Sequence, residues 1–282
     1  MEQKEKRRIH PRDALQIAII VVLCIVTIIF DCISITFTSD VFKNRMISKI
    51  IQQGCGSIAA ILLMKRAGIR LFGKPQNWLY LIPCLIIAID NFRFWAYFTA
   101  EQTPTLHGDG LDYVLFTIYC LCVGLFEECI FRGIIISVLA SCFSKDKRGF
   151  IQTYVVSSLI FGAAHLFNIF GGANPVAVIM QVGYTFLTGG LFGFCLIKTK
   201  NIFCCAFIHA LYNFCGLLFS DQGLGTPLPL DLGTSITMLI VSVIVGVFVI
   251  YKTFTVSETE RKCLYEKIGV KIKEGETKRN EE

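Results

Sequence analysis

The stretch LDYVLFTIYCLCVGLFEECIFRGIIISVLASCF, residues 111–143, decides how this chain is read. It is apolar almost throughout, yet as one helix it would run about 50 Å at 1.5 Å per residue. About 20 residues suffice to cross the ~30 Å hydrocarbon core of a bilayer. The stretch must therefore tilt, break or run on into the interface, and Gly124 and Gly133 are the expected break points. Outward from it, apolar runs recur at 14–37, 47–64, 77–98, 150–170, 174–197, 201–219 and 234–252. The 282-residue chain is 54% hydrophobic and only 17% charged, with a mean hydropathy of +0.62. A soluble domain carries about 25% charged residues. These values exclude a disordered chain and an ordinary soluble globule. They predict an all-α, polytopic transmembrane helical bundle of about eight spans.

The net charge of +6 is explained by where the basic residues sit. They gather in the N-terminus 1–13, at Lys65, Arg66, Arg70 and Lys74, at Lys145, Lys147 and Arg148, at Lys198 and Lys200, and in the tail from Lys252. The alternate loops around 99–112 and 220–233 contain no Lys or Arg. Lys43, Arg45 and Lys49 in the first loop break the pattern. The positive-inside rule then places both termini in the cytoplasm, which eight spans satisfy. The charge orients the chain in a membrane and implies no nucleic-acid partner. No small-residue cleavage pattern closes the run at 14–37, which reads as an uncleaved span rather than a signal peptide. Trp78 and Trp95 are expected about 26 Å apart on one helix, as interfacial anchors. The 13 cysteines are scattered through apolar spans without a C-x-x-C and read as small core residues. The mixed-charge tail reads as a solvated helix or a disordered end.

Ionisable residues inside spans cost roughly 2.5–3.5 kcal/mol each, so each needs a reason. Asp31 sits near the end of its span, and Asp90 and Arg93 are spaced to pair with each other. GLFEECIFRG, residues 124–133, places Glu128 and Arg132 at i,i+4 with the acid first, the favourable order. Glu127 points about 100° away on the helix and is left without that partner. FGAAHLFN, residues 161–168, contributes His165, and FIHALYNF, residues 207–214, places His209 and Asn213 on one helix face. Their depths overlap enough to line one cavity. A carboxylate and an imidazole can together deprotonate water, and a second imidazole and an amide can donate to an oxyanion. Two histidines and a glutamate could instead hold a catalytic zinc. Neither H-E-x-x-H nor G-x-S-x-G occurs. An ion pair that only holds the bundle together, or a proton relay in a transporter, would also account for buried charge.

These three segments resemble the motifs of the CPBP family of intramembrane proteases, which comprises CAAX proteases and bacteriocin-processing (Abi) enzymes. The family pattern is E-E-x-x-x-R, then F-x-x-x-H, then H-x-x-x-N. It falls here on Glu127, Glu128 and Arg132, on Phe161 and His165, and on His209 and Asn213, with the similarity extending over roughly 110–220. The resemblance implies an intramembrane endopeptidase with its site open toward the cytoplasm. It implies that Glu127 and His165 activate water, that His209 and Asn213 stabilise the oxyanion, and that Glu128 and Arg132 support them. The family has been described both as metal-independent glutamate proteases and as metalloproteases. No cofactor is favoured, and Glu127, His165 and His209 would be the ligands were zinc present.

The chain then divides into a basic N-terminus at 1–13, spans one to three at 14–109, the core at 110–220, a last loop and span at 221–252, and a charged tail at 253–282. The implied partners are the lipid bilayer and a membrane-associated peptide or protein, prenylated at its C-terminus or a bacteriocin-type precursor. The expected location is an integral, multi-pass membrane protein, in the plasma membrane if bacterial. A non-enzymatic immunity or scaffold protein of the same fold, and a proton-coupled transporter, are the competing functions.

Overall fold

A computed structural model describes residues 36–271; residues 14–35 of the first expected span, with Asp31, fall outside these, as does the end of the tail. The described residues form an all-helical bundle: α1 (Val41–Arg66), α2 (Leu81–Asp90), α3 (Phe94–Thr99), α4 (Gly110–Glu128), α5 (Ile136–Cys142), α6 (Lys147–Ala164), α7 (Pro175–Thr199), α8 (Ile202–Leu218), α9 (Leu232–Phe254) and α10 (Glu258–Lys267). Six segments are long and apolar enough to cross a membrane, and α8, at 17 residues, is apolar but shorter. Together they coincide with the seven expected spans that lie among the described residues. The protein is an integral, multi-pass membrane protein.

In a medium without water, helix ends must find partners for their free N–H groups. Asp40, Asp109, Asp146, Asn174, Asn201 and Asp231 each cap the helix that follows. At α4, Asp109 and Asp112 form a reciprocal capping box. Lys43 reaches Asp109 at 2.9 Å and Asp112 at 3.7 Å, and Arg45 donates to the Gln222 carbonyl. Two of the three basic residues that break the charge pattern are thus consumed by local partners.

The long stretch at 111–143 departs from expectation in an informative way. It does not break at Gly124. It continues as α-helix to Glu128, widens into a π-helical segment over Cys129–Ile135, and resumes as α5. Gly124 serves packing instead: a Cβ there would stand 2.6 Å from the Ala206 carbonyl and 2.9 Å from the Ala210 nitrogen of α8. Those are backbone atoms that cannot rotate away, so α4 and α8 approach closely only because residue 124 has no side chain.

The expected span at 77–98 is not one helix. The chain turns at Asn91–Arg93, where Arg93 adopts a left-handed φ of 60°. Trp78 and Trp95 therefore do not mark the ends of one straight rod. The break also takes Arg93 off the face of Asp90: its Nη1 donates to the Leu228 carbonyl at 2.9 Å, and no ion pair with Asp90 forms. Asn91 donates to the Tyr212 carbonyl of α8 at 2.9 Å, which ties the break to the centre of the bundle.

The near part of the tail is neither solvated nor disordered. α10 buries Leu264 and Tyr265 against the core, Tyr265 packing edge-on against Phe150. Ser137 donates to the Ile268 carbonyl, and Lys198 bonds Glu260 at 2.9 Å. The charge of the tail concealed one apolar stripe at helical spacing. Cys84, Cys120, Cys129, Cys195 and Cys205 are buried thiols outside any disulfide.

Two outcomes follow from this packing. Gly124→Val should force α4 and α8 apart and lower stability by about 1–3 kcal/mol, read as a lower thermal midpoint in detergent. Burial alone would raise the Glu260 carboxyl, but the Lys198 hydrogen bond, with the Ser257 backbone, outweighs it and holds Glu260 below the usual carboxylate range. A depressed carboxylate stabilises the fold above its unfolded value of about 4.3 and loses that contribution as pH falls through the lower folded value. Hydrogen exchange over 258–267 should therefore accelerate in that acidic window, and the Glu260→Gln protein should show no such step.

Candidate active site

Four of the six residues singled out from the sequence meet at the π-helical segment. Arg132 is 1% exposed and Glu128 is fully buried, and their side chains pair at 3.1 Å. The same carboxylate oxygen, Oε1 of Glu128, lies 2.8 Å from Nδ1 of His209. A carboxylate only accepts, so Nδ1 carries the proton and His209 turns Nε2 toward the site. Oε2 of Glu127 stands 3.8 Å from that Nε2. Glu127 is the more open of the two acids, with 24% of its side chain exposed. His209 thus lies between two carboxylates, anchored by one and facing the other.

Phe161 explains the aromatic position four residues before His165. Its face lies 4.3 Å from the Arg132 guanidinium carbon, and its edges meet His165 at 5.1 Å and His209 at 5.9 Å between ring centroids. One ring therefore contacts both imidazoles and the buried cation. The backbone has the second role: Nδ1 of His165 bonds the Phe161 carbonyl at 2.9 Å. The carbonyl can only accept, which leaves the lone pair of His165 on Nε2. His165 is also where α6 tightens into the 3₁₀ turn His165–Ile169.

Two of the sequence-selected residues are not drawn into this contact network. His165 makes no hydrogen bond or ion pair with Glu127 among the described residues; its ring meets Phe161, which also meets His209. Asn213 lies one turn beyond His209 on α8, half-buried, with no side-chain hydrogen bond among the described residues.

Two contributors escaped sequence reasoning. Phe192 of α7 stacks on His209 at 4.7 Å and 21°, and closes over Arg132 at 5.3 Å. Gly189, three residues earlier, accepts from Nη2 of Arg132 at 3.1 Å. The signal was the TGGLFGF stretch at 188–194, where small residues alternate with phenylalanine at helical spacing. Glu128 was legible as the partner of Arg132, but its bond to His209 was not, since 81 residues separate the two.

Glu127, His165 and His209 do not come together as a zinc set. Among the described residues, no three His, Cys, Asp or Glu side chains converge as metal ligands. The arrangement does not fit a zinc ion, and no step below passes through one.

Comparison with known proteins bears on the same segment. Residues 109–215 match the family model described as Type II CAAX prenyl endopeptidase Rce1-like. The chain is also 28% identical over 100 residues to CAAX prenyl protease 2 of Saccharomyces cerevisiae, covering 32% of each sequence. The matched stretch thus spans about a third of that relative's length. No solved structure matches the chain. All three motifs lie within the matched residues, and the segment that carries them is Rce1-like, similar to the type II CAAX prenyl endopeptidases.

Proposed function

We propose that this protein is an intramembrane endopeptidase of CAAX type, cleaving membrane-associated proteins near a prenylated C-terminus by direct attack of water. The observation that carries this reading is the gap between Glu127 and His209. At 3.8 Å it is too long for a direct hydrogen bond and of a size that one bridging water can span. The Rce1-like match over 109–215 and the relative named CAAX prenyl protease 2 favour the prenylated C-terminus over a bacteriocin-type precursor.

In this scheme Glu127 accepts a proton from water as its oxygen bonds to the scissile carbonyl carbon. His165, whose lone pair is on Nε2, orients that water. The carbonyl oxygen becomes an oxyanion, which Nε2–H of His209 and the amide of Asn213 stabilise. Glu128, which holds Nδ1–H of His209, supplies counter-charge on the other side of that ring. The C–N bond then breaks, and Glu127 returns its proton to the leaving amine. Glu128 and Arg132 act as positioning residues: the pair fixes the ring plane of His209 without touching substrate. Helices around the site exclude bulk water, which strengthens each of these interactions.

Removing the base should cost most. Glu127→Gln should lower the cleavage rate of a prenylated peptide in proteoliposomes at least about 100-fold, with the thermal midpoint unchanged. Wild-type protein stripped of metal with a chelator should keep its rate; loss of activity with stoichiometric loss of zinc would overturn the metal-independent scheme. Glu128→Gln should behave differently. It leaves Arg132 buried without its counter-charge, at about 3–5 kcal/mol, so both thermal stability and cleavage should fall together.

A further inference from the structure

We propose that a recess at the basic end of the bundle is a binding site for the phosphate-bearing headgroup of an anionic phospholipid. This reading is independent of the catalytic one. The recess forms where two helix C-termini meet. α1 ends with Gly68 at φ 76°, and Ile69 donates back to the Met64 carbonyl at 2.9 Å. α10 ends the same way, with Gly269 at φ 75° and Val270 donating to the Tyr265 carbonyl at 2.8 Å. These two glycines hold the left-handed conformation that such helix stops require. Arg70 donates to the Lys267 carbonyl at 2.6 Å and locks the two ends together. The space between them is lined by Lys65, Gly68, Arg70, Phe72, Gly73 and Lys267.

The lining contains three cations and no acid. Two other lysines at this end have acidic partners: Lys198 pairs with Glu260 and Lys262 with Glu258. Lys65, Arg70 and Lys267 have none among the described residues. Part of their charge offsets the two helix C-termini, each equivalent to about half a negative charge. Three full cations exceed that, and Arg66 and Lys74 stand next to them in the chain. The surplus is an electropositive recess that a phosphate oxygen can enter, with Gly68 and Gly73 leaving open space where side chains would intrude.

The surroundings select a lipid as the source of the phosphate. Ile58, Leu62 and Lys65 follow one another at i,i+4 and i,i+3 on α1, and both apolar members are exposed. On the other flank, Phe72 of the recess packs against Phe203 at 5.8 Å, and Phe203 and Phe207 are exposed one turn apart on α8. Apolar stripes thus run from both sides of the recess along spans that face lipid. A headgroup in the recess would lay its acyl chains on these stripes, an arrangement a free phosphate cannot use. Basic clusters at the end of membrane helices attract anionic headgroups.

The test is thermal unfolding of the full chain in a zwitterionic detergent, titrated with short-chain phosphatidylglycerol, with short-chain phosphatidylcholine, or with inorganic phosphate. Phosphatidylglycerol should raise the midpoint saturably; the other two should not. The variant K65Q/R70Q/K267Q should need at least about tenfold more phosphatidylglycerol. K147Q/R148Q/K252Q, which loses the same charge outside the recess, should titrate like wild type. Equal loss in both variants would show a diffuse field and overturn the site, as would a wild type that does not respond to phosphatidylglycerol. A shift reproduced by inorganic phosphate would overturn the lipid assignment. If the triple variant does not fold, R70Q alone must move the titration in the same direction, and an unmoved curve overturns the proposal.

Discussion

The structure depends on one buried cation. Arg132 has almost no contact with solvent, and its charge is met by Glu128, by the Gly189 carbonyl and by the faces of Phe161 and Phe192. Those partners come from α4, α6 and α7, and Glu128 passes the constraint on to His209 of α8. A guanidinium suits this role because it is planar, accepts aromatic faces on both sides, and donates in its own plane to oxygens. The bundle is therefore organised around an electrostatic centre rather than around apolar contact alone. In a bilayer that is the more specific device, because lipid competes for apolar surface but cannot substitute for a counter-ion.

The same centre divides labour between two adjacent acids. Glu128 and Glu127 differ by one residue and therefore by about 100° around the helix. One is sealed in and committed to two cationic or N–H partners; the other keeps a quarter of its side chain open and stands 3.8 Å from the far nitrogen of the imidazole. In the proposed scheme identical chemistry serves as scaffold at one position and as reagent at the next. Burial alone distinguishes the two.

What could be read from the sequence was whatever depends on spacing within one helix. The Glu128–Arg132 pair, the shared face of His209 and Asn213, and the apolar spans all follow from the 3.6-residue period. What could not be read depends on contacts between helices. The bond from Glu128 to His209 and the stacking of Phe192 on His209 join residues whose positions are set only by packing. The Asp90–Arg93 pairing failed for a related reason: it assumed a continuous helix, and the turn at Asn91 is stabilised by a bond to α8 that no local pattern announces. The tail was misread because its charge masks a stripe, with Leu264, Tyr265 and Ile268 buried and Arg261 buried beside them.

The π-helical segment at Cys129–Ile135 lies between two halves of a span that answer to different neighbours. Before it, α4 is held in phase by α1 and α8, which sets where Glu127 points. After it, α5 packs on α6, and Ser137 is held by the Ile268 carbonyl. An unbroken α-helix would allow only one rotational setting for both. The wider turn acts as a phase coupler, letting each half meet its own neighbours while the chain stays hydrogen-bonded through the membrane. Deleting one residue of 133–135 would leave hydropathy and all three motifs intact, yet rotate the following half of the span against the first by about 100°. The length of the spacer is thus as much a part of the site as the residues that flank it.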